Sequence, residues 1–152
     1  MLGVAAGFAA SGFVPYVINI ATFQTMRSFE QIRSDFGYPK LNGVMMSIWS
    51  GLSGGYVGAT HHAIEDMALM RMIPNMAVLA PANAEDTGAA TRAAYEYPGP
   101  VYIRIATGMD PSGNEGNSFT LGRAAVTHEG SDATAFLPSA LKPTASETMS
   151  GR

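Results

Sequence analysis

Apolar residues along the chain fall into short continuous runs and one clear helical rhythm. Leu2 to Ala10 is apolar and rich in small residues, which predicts a closely packed, buried helix with Gly12 as its C-terminal glycine. Phe13 to Ile20 (FVPYVINI) reads as a strand buried on both faces, with Pro15 tolerated near its start. In Thr25 to Phe36 the apolar residues are Met26, Phe29, Ile32 and Phe36, a spacing that predicts an amphipathic helix stopped by Gly37-Tyr38-Pro39. Val44 to Trp49 is a second strand. Gly51 to Thr60 is a loop containing Gly51, Gly54, Gly55 and Gly58. His61 to Met72 reads as a helix beginning near Thr60 and broken by Pro74-Asn75. A short strand, Met76 to Ala80, follows. Asn83 to Tyr95 is a helix with Asn83 as N-cap and acids in its first turn. Pro98-Gly99-Pro100 turns the chain into a buried strand, Val101 to Ile105.

Strands alternating with helices predict βαβ units and an α/β fold: a three-layer domain with a mostly parallel sheet. The order opens on a helix, so the sheet is expected to be incomplete, with a first strand upstream of Met1. After Thr107 the pattern changes. Asp110 to Ser118 is expected to be a flexible loop, Phe119 to Thr127 to hold one short strand, and Ser131 to Arg152, rich in Ser, Thr and Pro, to be loose.

With 152 residues, length favours one domain. Charged residues make up 14% of the chain, against the usual quarter or so. Such a surface is expected to be partly buried against another chain. The net charge is −3 and Lys40 and Lys142 are the only lysines, which argues against a nucleic-acid partner. The absence of cysteine excludes disulfides, thiol catalysis and cysteine-based zinc sites. No apolar run reaches the ~18 residues of a membrane span, and Met1 to Ser11 lacks the positive start of a signal peptide. The expectation is a cytoplasmic protein with no membrane partner.

The candidate chemistry gathers around the Gly-rich loop. GLSGGYVGATHH follows a strand and precedes a helix, where α/β sheets bind ligands. It has neither the GxGxxG pattern nor a GK[ST] ending, so dinucleotide and P-loop readings fail. His61 and His62 sit where this loop enters the expected helix. An imidazole there can move protons or donate to a developing oxyanion, and a helix N-terminus favours its neutral form. Adjacent residues point apart, so at most one histidine faces a shared site. A structural hydrogen bond is the plain alternative for either. Glu65 and Asp66 read most simply as complements to the helix dipole. Arg27, Glu30 and Arg33 have the spacing of helical ion pairs. Met67, Met70 and Met72 read partly as core filler. No metal cluster is evident, and these residues alone name no reaction.

Taken in order, several stretches resemble the pyrimidine-binding domain of transketolase-like thiamine diphosphate enzymes. They are MLGVAAGFAASG, FVPYVINIATF with RSFEQIR, the segment YPKLNGVMMSIWSGLSGGYVGATHHAIEDMALMRMIPNMAVLAPANAEDT, and YPGPVYIRI. GATHHAIEDMALMRMIPNMAVLAPANAED is the most specific piece. The resemblance implies a pyrimidine-binding domain over residues 1–108, a linker and start of a C-terminal domain over 109–130, and an irregular tail over 131–152. It implies thiamine diphosphate held in a site shared between chains, with Mg2+ and the diphosphate bound by a domain not in this chain. A homodimer, or a complex with a diphosphate-binding subunit, and a small sugar-phosphate substrate are the implied partners.

Phe23 matches the aromatic that packs against the aminopyrimidine. His61 matches the active-site histidine of a Thr-His motif, and Gly58 a loop glycine that lets backbone come close. Arg27 and Glu30 fall on the helix below the pocket. The chain also departs from the pattern. The family's glutamate toward the aminopyrimidine would fall just upstream of Met1. Trp49 replaces a histidine, Val57 an aspartate, Ile20 a pocket aromatic, and Thr107 stands near the place of a phosphate-binding arginine. The implied activity is transfer of a two-carbon ketol unit between sugar phosphates. The alternatives are a 1-deoxyxylulose-5-phosphate-synthase-like reaction, or an inactive module that only associates with a partner chain.

Overall fold

The computed structural model describes residues 1–106, 119–124 and 131. Four parallel strands form one sheet in the order β1-β2-β4-β3, comprising β1 (Tyr16–Ile20), β2 (Gly43–Ile48), β3 (Ala77–Leu79) and β4 (Pro100–Arg104). Ile20 lies beside Ile48, and Ser47 beside Arg104. The carboxyl ends of β1, β2 and β4 therefore finish at one rim.

Helices cover both faces, which makes the three-layer α/β arrangement expected from the alternation of elements. On one face, α1 (Leu2–Ala10) and α3 (Asp66–Arg71) pack with the segment 23–37 over Val17, Met45 and Tyr102. On the other, α4 (Ala84–Glu96) closes over Val44, Val101, Ile103 and Leu79 through Ala90 and Ala94. The Asn83 side chain accepts from the Asp86 amide at 2.8 Å and so caps α4 as its sequence predicts. Gly12, at φ +90°, turns the chain after α1, and its amide donates to Ala9 O.

Four elements differ from the sequence reading. Helix α1 is buried on one side only, through Leu2, Ala5, Ala6 and Ala9, while Val4 and Phe8 are exposed. Strand β1 is an edge strand, and Ile18 on it is 60% exposed. The expected amphipathic helix from Thr25 to Phe36 is instead a broken helix: a π-helical turn over Phe23–Arg27, a single turn α2 (Phe29–Gln31), and a second π-helical stretch over Ile32–Gly37. Its buried residues Ile32 and Phe36 are those the spacing marks. The helix expected from His61 begins only at Asp66, so both histidines lie in the loop before it.

Phe119 and Leu121 pack against the α4-side core, and residues 119–124 form a turn with no strand. The expected Asp110–Ser118 loop, the remainder of the 119–127 strand and the tail after 131 lie outside the described residues, as does Thr107. Among the described residues no helix is long and apolar enough to cross a membrane.

Candidate functional site

The rim of the sheet gathers three aromatic side chains. Beyond the end of β1, the π-helical turn starts at Phe23. A π turn carries one residue more than an α turn needs, and such turns recur at functional positions. Directly after β2, Trp49 takes a left-handed backbone with φ +58°. A bulky residue held there stores strain that only surrounding structure maintains. The loop from Gly51 then returns His61 between the two strand ends. The His61 ring lies edge-on to Phe23, with centroids 5.0 Å apart, and tilted to Trp49 at 6.3 Å. All three are half-buried. Two of the three residues matched to a site, Phe23 and His61, are thus brought together.

Loop geometry separates the two histidines. His62 Nε2 donates to Gly55 O at 3.2 Å and clips the loop to itself. His61 Nδ1 pairs with Thr60 Oγ1 at 2.9 Å, and Nε2 has no partner among the described residues. With the threonine hydroxyl donating, Nε2 carries the proton and becomes a donor; with the tautomer reversed, Nε2 accepts. The expected helix-terminus effect on His61 has no basis here, because α3 starts at Asp66.

Gly58, the third matched residue, lies in the same loop with φ +77° and ψ −169°, a region open essentially to glycine alone. A Cβ added there would meet nothing within 4 Å among the described residues. Its requirement is conformational, and its backbone is open to approach. Val57 ends the short 3-10 turn Gly55–Val57 just before it.

Arg27 does not pair with Glu30. Its guanidinium lies over the Phe23 ring, 4.6 Å from the centroid, and Glu30 accepts from Ser34 Oγ instead. One face of Phe23 is thereby covered by a cation.

Beneath the rim lies a buried polar layer. Gln24 Nε2 donates to Val17 O at 3.2 Å, and Ser47 Oγ donates to Gln24 Oε1 at 3.1 Å. Tyr102 Oη donates to Asp66 Oδ2 at 2.8 Å, and Arg104 Nε donates to the same oxygen at 2.9 Å. Burial pushes the Tyr102 phenol well above its ordinary range, and the Asp66 charge pushes it further. Asp66 stands in the first turn of α3, as expected of a helix-dipole complement, but it is 1% exposed and also forms a buried ion pair that the sequence reading did not assign to it. The sequence did carry a signal for this pair. Arg104 interrupts the apolar run VYIRI, and a charge on a buried strand demands a partner.

Residues 1–109 match the family described as "Transketolase, pyrimidine binding domain". The chain belongs to this family. A putative transketolase C-terminal section from Methanocaldococcus jannaschii is 36% identical over 137 residues, covering 88% of this chain and 43% of the relative. A subunit of an apulose-4-phosphate transketolase from Phocaeicola vulgatus is 34% identical over 135 residues, with the same two shares. Among solved structures, a split gene transketolase described as an inactive beta4 tetramer superposes with a TM-score of 0.73 at 41% identity, covering 85% of this chain and 41% of that one. The chain thus spans less than half the length of these relatives. For a transketolase pyrimidine-binding domain, a site at the carboxyl rim of a parallel sheet is where α/β ligands sit. Among the described residues no three His, Cys, Asp or Glu side chains stand together as a metal site.

Proposed function

We propose that this chain is the pyrimidine-binding part of a split transketolase that transfers a two-carbon ketol unit between sugar phosphates. The juxtaposition of Phe23 and His61 at 5.0 Å on the sheet rim carries the reading. Thiamine diphosphate, when bound, supplies the electron sink for the transferred carbon unit. The residues present suit its pyrimidine end. Phe23 is a half-buried aromatic ring of the kind that packs against a flat heterocycle, and the backbone at Gly58, where an added Cβ meets nothing within 4 Å among the described residues, admits a close neighbour. His61 has Nε2 without a partner among the described residues, and through it would hold or move a proton of the bound substrate. Trp49 and Phe23 flank the imidazole.

The diphosphate and Mg2+ are assigned to a diphosphate-binding partner chain. Exposed apolar side chains (Val4, Phe8, Phe13 and Ile18) and a charge content of 14% support association with another chain. Of the relatives described above, two are themselves named as a section or a subunit of a transketolase.

The test is calorimetry with thiamine diphosphate and magnesium, on this chain alone and then mixed with a diphosphate-domain subunit. Ketol transfer is assayed in the same mixtures. Binding and transfer in the mixture alone are expected. Turnover of pyruvate with glyceraldehyde phosphate would replace the reading by the deoxyxylulose-phosphate-synthase type. Absence of binding in both cases would reduce the chain to a non-catalytic module.

A further inference from the structure

The cluster of Asp66, Tyr102 and Arg104 takes no part in the proposed chemistry, yet it lies directly under the loop that carries His61. A buried ion pair contributes little net stability over apolar residues of the same volume. What this one does fix is direction. Both hydrogen bonds to Asp66 Oδ2 come from β4, so the start of α3 is tied to the sheet at two points. Arg104 also touches the other end of the loop. Gly51 sits at φ +67°, and a Cβ there would lie 2.9 Å from Arg104 Nη2. Gly51 and Ala63 close the loop with two reciprocal backbone bonds, each 2.9 Å. His61 lies inside the closed segment, and its one polar ring contact among the described residues is Thr60, a neighbour on the same loop. The distances from its ring to Phe23 and Trp49 therefore follow from where the loop is seated.

We infer that Asp66 is a positioning residue. It grips β4 through Tyr102 and Arg104, seats the Gly51–Ala63 loop on the sheet, and so holds His61 against Phe23 and Trp49. Its functional consequence rests on the reading of His61 proposed above, whereas its primary test reads geometry alone.

The experiment is proton NMR of the full chain, following cross-relaxation from the His61 ring protons to those of Phe23 and Trp49. Asp66→Asn keeps an acceptor oxygen where Oδ2 stands and places its amide where Oδ1 has no partner among the described residues, so both contacts should persist at a loss of stability from the lost counter-charge. The paired replacement Asp66→Leu with Arg104→Met removes both charges and fills their volume. It should leave core signals such as Phe36 and Met45 in place and lose both His61 contacts. Retention of both contacts in that folded variant overturns the inference. If the pair does not fold, Tyr102→Phe with Arg104→Met serves instead, since it removes both β4 donors to Asp66 and leaves the loop's own residues unchanged. The same loss is expected there, and unchanged contacts overturn the inference equally. In the reconstituted complex, ketol transfer should fall with the lost contacts and survive in Asp66→Asn. Lost contacts with full turnover would leave the positioning role standing and overturn the reading of His61.

Discussion

Ser47 on β2 donates to Gln24 on the π-helical turn, which in turn donates to the Val17 carbonyl of β1. Both side chains are essentially shut off from solvent. One amide thus joins β1 and β2 to the turn that begins at Phe23. Gln24→Ala removes the acceptor of the Ser47 hydroxyl and a side-chain donor to the Val17 carbonyl, and should cost about 1–3 kcal/mol in urea unfolding. Gln24→Glu keeps an acceptor for Ser47 but turns a carboxylate toward the Val17 carbonyl, and should cost more at neutral pH. Burial raises the folded-state pKa of such a carboxyl above its unfolded value. Its deficit should therefore shrink as pH falls, because the protonated group donates again. A deficit independent of pH would mean the introduced side chain leaves the layer.

Tyr102 predicts a specific loss of stability in alkali. Its folded-state pKa is raised, first by desolvation and then by Asp66, so the folded chain keeps a proton that the unfolded chain releases. The stabilisation is complete below the ordinary tyrosine value and declines as pH rises beyond it. Above about pH 10 this group alone should remove ~1.4 kcal/mol per pH unit. Tyr102→Phe should flatten the stability–pH profile by that slope, at the expense of one charge-assisted bond at neutral pH. Parallel profiles for the two proteins would contradict the burial argument.

Gly58 predicts a change in loop shape with little change in packing. Among the described residues nothing blocks a Cβ there, so Gly58→Ala should meet backbone strain, of order 1–3 kcal/mol. The His61 amide donates to the Gly58 carbonyl, which ties the two residues locally. Chemical-shift changes in Gly58→Ala should cluster between Gly55 and Ala63 and spare β4. Shifts spread through the sheet would show that Gly58 supports the core instead.

The sheet was legible because each strand is an apolar run bounded by Gly, Pro or Asn. What the run could not show is neighbourhood. FVPYVINI reads as buried on both faces whether it lies inside a sheet or at its edge, and only the strand order exposes Ile18. The helix from Thr25 was legible in its buried side, Ile32 and Phe36, and illegible in its two π stretches, since one inserted residue leaves no periodic trace over a single turn. Phe23, Gly58 and His61 were found through motif resemblance, and geometry adds that Phe23 and His61 touch. The ion pair of Asp66 was not legible because an acid in a first turn has an ordinary explanation. Its partner Arg104, a charge in the middle of VYIRI, was the stronger clue.

Phe23 and His61 should separate binding from chemistry in the reconstituted complex. Phe23 is assigned to the pyrimidine ring and His61 to the proton. Phe23→Ala removes the flat face and the ring on which Arg27 rests, and should weaken thiamine diphosphate binding by about tenfold, given ~0.5–1.5 kcal/mol for an aromatic pair beyond its buried area. Its turnover at saturating cofactor should change much less. His61→Gln keeps a hydrogen-bonding side chain but cannot exchange protons near neutrality, so ketol transfer should fall by about 10²–10⁴-fold with cofactor affinity nearly unchanged. The double variant should depart from additivity, because the two rings are in contact with centroids 5.0 Å apart. If His61→Gln instead lost affinity in step with turnover, the imidazole would belong to the cofactor pocket's wall, and the proton would have to come from another group.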